Sequence, residues 1–334
     1  MNKLGQIENN IRSGLFFGLS SKEELLYVYS LPLPQLVELA MAVRAKRKQG
    51  GAGPDCCASG YLPHNGGRGC EMSCGFCGFP QSIYQWNPQQ FVSKLTEGAI
   101  IEDAKKKKEM GATRYKIVSL GCSIRDDEYE IAIKALPKLY GLGFEKICLS
   151  FGILSDDRIR GLVNKFGKEK IEINHNLEVG TPELYEKLIG NDKLLWMARY
   201  NTISNAKKYG LSVCSGGLVG IGETVNDQAE LVLALRSLDV SSSPFNVFVM
   251  DKNDKSAIAE KIREGRIKRP SDEELLRILC MWRLGMPKAS IAVNSGYGIT
   301  REGDFGIYSG IIELALINDK VSLPNQGILG KRRY

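Results

Sequence analysis

The chain has 334 residues, 43% hydrophobic and 25% charged, with a net charge of +7 at pH 7. That length admits one large α/β barrel or two smaller domains, and the composition excludes a disordered or fibrous protein. No apolar run reaches about 18 residues and no basic leader with a small-residue cleavage site opens the chain, so neither a membrane span nor a secretory signal is expected, and a cytoplasmic location is.

Residues 1–52 read as a helical extension. Ser20-Ser21-Lys22-Glu23-Glu24 resembles an N-cap followed by an acidic first turn, and a second amphipathic stretch, 36–48, ends in Lys46-Arg47-Lys48 before Gly50-Gly51. Residues 51–54 break the chain. Cys56-Cys57 then leads through a Gly/Pro-rich stretch to Cys70-Glu71-Met72-Ser73-Cys74-Gly75-Phe76-Cys77. Three thiolates spaced C-x3-C-x2-C reach three corners of one small inorganic centre, an iron–sulfur cluster or zinc. A closed zinc site or a ferredoxin site needs a fourth ligand nearby. His64 would complete a zinc knuckle; without it, one iron stays open to a small molecule. Nine cysteines in a cytoplasmic chain read as metal ligands before disulfides.

Beyond the cysteines a repeating pattern sets in. Helix is expected near 90–110, where Lys105-Lys106-Lys107-Lys108 reads as a solvated face rather than a nucleic-acid footprint. The series continues with strand 115–120, helix 127–141, strand 146–151, a helix opening at 155–157, strand 171–175, helices over 181–208 and strand 212–219. Helix 224–238, strand 245–250, helix 272–285 and strand 290–293 complete it. Strands alternating with helices imply βα units and a parallel sheet, and seven or eight units favour an α/β TIM-type barrel over an open sheet. The expected domains are the extension 1–52, the barrel 53–300, and a segment 301–334 closing or covering it. Residues 70–77, 119–122, 174–178 and 220–223 all fall at C-terminal strand ends, where such barrels carry their chemistry, so one mouth is expected to gather them.

The C-x3-C-x2-C spacing with Phe76 before the last cysteine resembles the signature of the radical S-adenosylmethionine (SAM) superfamily. Val213-Cys214-Ser215-Gly216-Gly217-Leu218-Val219-Gly220-Ile221-Gly222-Glu223-Thr224 and Asn174-His175-Asn176-Leu177-Glu178 resemble matching segments of biotin synthases. Weaker similarity extends over most of residues 40–300. The resemblance implies that Cys70, Cys74 and Cys77 bind a [4Fe–4S] cluster whose open iron chelates SAM, with Phe76 near the adenine. Asn176 and Glu178 would hold the ribose hydroxyls and Arg199 the SAM carboxylate, unless Arg199 is simply a helix-surface residue. Ser119 and Gly121 would face the SAM amino group, and Gly220, Ile221, Gly222 and Glu223 the adenine. No catalytic side chain is implied beyond the cluster. The reduced cluster would cleave SAM to methionine and a 5′-deoxyadenosyl radical that abstracts hydrogen from an unactivated C–H bond, with flavodoxin or ferredoxin as electron donor. The partners otherwise implied are a small-molecule substrate and no nucleic acid or membrane, with a homodimer among the assemblies open to the chain.

Cys148 and Cys214 match two strand cysteines that hold an auxiliary, sulfur-donating iron–sulfur cluster in biotin synthases; the alternative is that each is a small core residue. The pattern departs elsewhere. Lys116 stands where the third strand cysteine belongs, and Ala292 where an arginine ligand does; Cys57, Cys122 and Cys56 are the candidate replacements. Asn246, with Asn176, would contact substrate. Residues 251–255 depart from the family's usual run, and the segment from 299 is poorly matched. His64 reads as a loop residue, His175 as one orienting its loop, and Cys280 as core. The implied activity is sulfur insertion, dethiobiotin to biotin. The alternatives are lipoyl-synthase-type insertion, a methylornithine-synthase-like or hydrogenase-maturase-like enzyme without sulfur donation, and a non-catalytic iron–sulfur carrier.

Overall fold

In the computed structural model the described residues are 3–47, 55–63, 69–80, 91–190, 193–248, 250, 253–293, 311 and 314–317. Three helices precede the sheet: α1 (Lys3–Ser13), α2 (Lys22–Tyr29) and α3 (Leu33–Arg47). Ser21 opens α2 with a capping box. Its hydroxyl accepts from the Glu24 N–H at 3.2 Å, and the Glu24 carboxylate accepts from the Ser21 N–H at 3.3 Å, which satisfies donors a helix start leaves unpaired. Leu25, Val28 and Leu36 are fully buried, and α2 and α3 pack on the later helix α11 (Asp272–Gly285). Arg236 fastens the join, donating from Nη1 to the carbonyls of Phe17 and Gly285 at 2.8 Å each. The helical extension expected at the N-terminus therefore lies on the outer helical layer.

The strands are β1 (Asp55–Tyr61), β2 (Arg114–Val118), β3 (Lys146–Ser150), β4 (Ile171–Asn174), β5 (Ser212–Cys214), β6 (Gly217–Val219), β7 (Ser242–Val247), β8 (Ser290–Val293) and β9 (Leu314–Ile317). All their pairings are parallel. They run from β5 through β4, β3, β2, β1, β9 and β8 to β7, and the pair Cys214↔Ser242 joins β7 back to β5. Helices α4 (Glu97–Glu109), α5 (Asp126–Gly141), α6 (Asp156–Phe166), α7 (Pro182–Ile189), α8 (Lys193–Lys208), α9 (Val225–Ser237) and α10 (Ala257–Arg263) lie between strands. This is the TIM-type barrel the alternation implied. No helix among the described residues is long and apolar enough to cross a membrane.

Strand alternation decides which side chains face the axis. Tyr115 and Ile117 are fully buried, and the Tyr115 hydroxyl donates to Asp103 of α4 at 2.7 Å, so they face the helices. Arg114, Lys116 and Val118 consequently face inward. On β7, Phe245 meets Trp282 of α11 edge to face at 5.1 Å, while Ser242 faces inward and donates to Glu172 at 3.0 Å. A polar barrel interior results.

Five elements differ from expectation, one of them the short helix α10, which the expected series lacks. The segment 212–219 is two strands, because a Cβ at Gly216 would fall 2.0 Å from the Pro244 carbonyl oxygen and one at Gly217 2.5 Å from that of Glu178. The chain breaks where only glycine allows such approach. The strand expected at 245–250 begins at Ser242, its serines and proline lacking the usual β signature. The strand β1, with its small residues, was not expected at all. Finally, β9 lies within the segment expected to cover the barrel, yet it pairs with β1 and β8 as one of the staves.

Candidate active site: two thiol groups in one barrel

The cysteine loop follows β1, and its described part, 69–80, folds back on itself: the Cys70 N–H donates to Phe79 O at 2.6 Å and the Cys77 N–H to Cys74 O at 3.0 Å. Backbone N–H groups point at the sulfurs, Met72 to Cys70 at 3.3 Å and Phe79 to Cys77 at 3.4 Å. The tip is clamped, with the Gly75 N–H donating to Ile189 O at 2.7 Å and its carbonyl accepting from Ile258 at 2.9 Å. Behind the loop, Phe79 stacks on Tyr61 at 5.9 Å and meets Phe91 edge-on at 6.4 Å.

Burial pushes the Cys70 thiol up to about 11 and raises Cys77 further, with the neighbouring cysteines opposing any shared negative charge. Thiols in that position keep their protons until a cationic centre replaces them. Three sulfurs on one short loop, lining one pocket and with backbone donors for the charge of Cys70 and Cys77, make a donor set suited to an iron–sulfur cluster.

Cys70, Cys74 and Cys77 line one pocket with Phe76, Ser119, Gly121, Cys122, His175 and Arg199. Ser119 turns its hydroxyl away, onto Glu128 of α5 at 2.5 Å. Gly121, at φ 95°, donates its N–H to the Cys70 sulfur, and a Cβ there would fall 2.5 Å from Glu71 Oε1. Arg199 is no surface residue. Its Nη1 donates to Asn176 O at 2.9 Å, its Nε to the Tyr185 hydroxyl at 3.1 Å, and Glu178 Oε1 lies 3.8 Å away. Burial opposes its charge, but Tyr185 and Glu178 outweigh that and its pKa is raised. Burial raises the Glu178 carboxyl and drives His175 well below the ordinary histidine value, leaving His175 neutral with an unpartnered Nε2.

The loop after β4 is fixed by the neighbouring turn between β5 and β6. The Gly216 N–H donates to Asn176 Oδ1 at 3.2 Å, the Glu178 N–H donates to Gly216 O at 3.2 Å, and Glu178 sits at φ 71°. Glu223 is spent on its own turn: its carboxylate accepts from the N–H groups of Gly220 at 2.7 Å and Ile221 at 2.9 Å, and from Gln228 at 3.0 Å. Gly222, at φ 108°, keeps that turn left-handed. Asn246 is in register with Leu218 on β7 and faces the interior.

A second thiol group lies inside the barrel. The sulfurs of Cys57 and Cys148 are hydrogen-bonded, and Cys148 donates to Glu172 Oε2 at 3.2 Å. Cys214 is pushed up to about 11 by burial and then by Glu172, with the Ser242 hydroxyl beside it. Arg114 Nη1 lies 3.4 Å from Glu172 Oε2, and its Nε is buried without a partner. The pairing of the two thiols holds Cys57 below the ordinary thiol value, while Cys148 is pushed well above it. Lys116 is desolvated, but Cys57 and Cys214 outweigh that and raise its pKa.

Among the described side chains, the candidate replacement for the third strand cysteine that meets Cys148 is Cys57. Cys122 is corrected: it follows the Gly121 turn beyond the end of β2 and lines the mouth pocket with Cys70, Cys74 and Cys77. The side chain of Cys56, His64, residues 251–252 and the segment from 299 to 310 lie outside the described residues. Cys280 is core. Glu172 was missed, although an acidic residue between two isoleucines in a short strand was the available signal.

The chain matches the radical SAM superfamily over residues 65–235. It is 30% identical to the biotin synthase of Clostridium perfringens (strain ATCC 13124) over 276 residues, 83% of this chain and 80% of that one. It is 29% identical to that of Aquifex aeolicus over 290 residues, 83% and 78% of the two chains. Among solved structures, the FeFe-hydrogenase maturase HydG from Carboxydothermus hydrogenoformans superposes with a TM-score of 0.73 at 17% identity, covering 99% of this chain and 75% of its own. Methylornithine synthase (PylB) gives 0.70 at 17%, covering 97% and 88%. At such identities these structures speak to the fold.

Proposed function

The chain belongs to the radical SAM superfamily, and from that premise we propose that it is a sulfur-inserting enzyme of biotin-synthase type, with dethiobiotin as substrate. One observation carries the reading: the mouth thiols Cys70, Cys74 and Cys77 and an interior thiol group, Cys57, Cys148 and Cys214, belong to the same barrel. Sulfur insertion needs a radical-generating centre and a separate sulfur source, with substrate between them.

Cys70, Cys74 and Cys77 would hold the [4Fe–4S] cluster that, with SAM bound, supplies one-electron chemistry at unactivated C–H bonds. Arg199, locked by Tyr185 and the Asn176 carbonyl, offers a fixed guanidinium for the SAM carboxylate. Asn176 and Glu178 would take the ribose diol, and Phe76 and the Gly220–Gly222 turn would border the adenine. Asn246 and Asn176 would hold the substrate's polar end. Cys57, Cys148 and Cys214 would hold an auxiliary iron–sulfur cluster, Cys57 standing in for the cysteine that Lys116 replaces. Flavodoxin or ferredoxin would be the reductant, in the cytoplasm.

A second reading has its own observation. Lys116 and Ala292 occupy two positions where biotin synthases carry auxiliary-cluster ligands, which favours a methylornithine-synthase-like enzyme without sulfur donation. Incubation of the anaerobically reconstituted chain with SAM, reductant and dethiobiotin separates the two. Biotin detected by mass spectrometry supports sulfur insertion; deoxyadenosine without any thiolated product rejects it.

A further inference from the structure

We propose that Glu172 is a ligand of the auxiliary cluster, completing a three-sulfur, one-oxygen set with Cys57, Cys148 and Cys214. The proposal rests on the sulfur-insertion reading only in taking an interior cluster to exist.

Four observations place the carboxylate among the donors. Glu172 is 2% exposed, deeper than a carboxylate sits without partners of opposite charge or a metal. Oε2 lies 3.2 Å from the Cys148 sulfur. Its strand alternation puts it on the same inner surface as Cys148 and Cys214, since Cys148 pairs with Glu172 and Glu172 with Ser212, two residues before Cys214. Finally, Ser242 donates to Oε1 at 3.0 Å, orienting the group as the polar partners behind a metal ligand do.

A plain ion pair with Arg114 is the competing account. It is a loose one, at 3.4 Å with the Arg114 Nε left unpartnered, and it does not explain why three thiols surround the carboxylate. Among the described residues no three such donors converge on a point that one metal ion would occupy. The same holds for Cys70, Cys74 and Cys77, and a [4Fe–4S] cluster takes its protein ligands one per iron, so they need not meet at a point. On loading, the thiols release their protons, and Arg114 and Lys116 remain as cations beside the resulting negative charge.

The experiment compares the unaltered chain with Glu172→Gln and Glu172→Asp after anaerobic reconstitution, by iron and sulfide content, Mössbauer spectra and EPR. The mouth cluster, about four irons, serves as the internal control for folding. A second iron signal in the unaltered chain, lost or shifted in Glu172→Gln and retained at altered parameters in Glu172→Asp, supports ligation. An unaltered chain holding only the mouth cluster defeats the interior cluster, and Glu172 with it. A second cluster whose content and spectra are identical in all three chains overturns the ligand assignment alone. Should Glu172→Gln not fold, iron X-ray absorption of the Cys70→Ala, Cys74→Ala, Cys77→Ala chain reads the interior cluster by itself. An oxygen donor is expected there, and purely sulfur ligation overturns the proposal.

Discussion

The sulfurs of Cys57 and Cys148 are hydrogen-bonded across the barrel interior although β2 lies between their strands. Cys57 pairs with Arg114 and Cys148 with Lys116, two residues further along β2. The curl of the barrel brings their side chains together in front of that strand.

If Cys57 supplies the sulfur that Lys116 does not, Cys57→Ala loses the interior cluster and keeps the mouth cluster, about four irons per chain. Cys122→Ala, altered at the mouth instead, keeps both. Iron and sulfide counts on reconstituted protein decide this, and equal losses in the two variants would refute it.

Arg199→Met removes a half-buried guanidinium whose hydrogen bond to Asn176 O holds that loop. A charged hydrogen bond contributes about 1.5–3 kcal/mol, so SAM affinity is expected to fall roughly 10- to 100-fold. Arg199→Lys keeps the charge but not the fork and should recover only part of this. The concentration dependence of deoxyadenosine formation on SAM measures both.

Glu223 is predicted to brace its turn. Glu223→Ala leaves the Gly220 and Ile221 N–H groups without their carboxylate, an expected loss of about 2–4 kcal/mol in denaturant unfolding. Burial raises the Glu223 carboxyl, outweighing those hydrogen bonds. The pH-dependent part of its contribution is therefore complete below the unfolded-chain value of about 4.3 and is lost as pH rises through the higher folded value, while the hydrogen bonds themselves remain. Glu223→Gln should flatten the stability curve on that side; an unchanged curve counts against the assignment.

Two glycines should behave oppositely. Gly216→Ala places a methyl 2.0 Å from the Pro244 carbonyl oxygen, and a loss of about 3 kcal/mol is expected. Gly98 in α4 has nothing within 4 Å of such a methyl, so Gly98→Ala should gain about 0.5–1 kcal/mol. Thermal unfolding of the two variants is the check.

By itself the sequence determined the cysteine triad, the βα alternation and the order in which loops such as 119–122 and 174–178 arrive at one end of the barrel. Those are local properties: C-x3-C-x2-C is a spacing, and alternation is a periodicity that survives without tertiary contacts. The helix cap at Ser21 was legible for the same reason. The strand β1 was not, because Asp55–Tyr61 carries small residues whose strand geometry comes from pairing with β2 and β9. Only the tertiary structure decided which cysteine meets Cys148. Cys56, Cys57 and Cys122 were all candidates along the chain; barrel closure turns Cys57 inward, and the left-handed Gly121 carries Cys122 to the mouth. It alone also brought Glu172 among the interior thiols, since facing the axis is a property of the closed ring and not of any one strand.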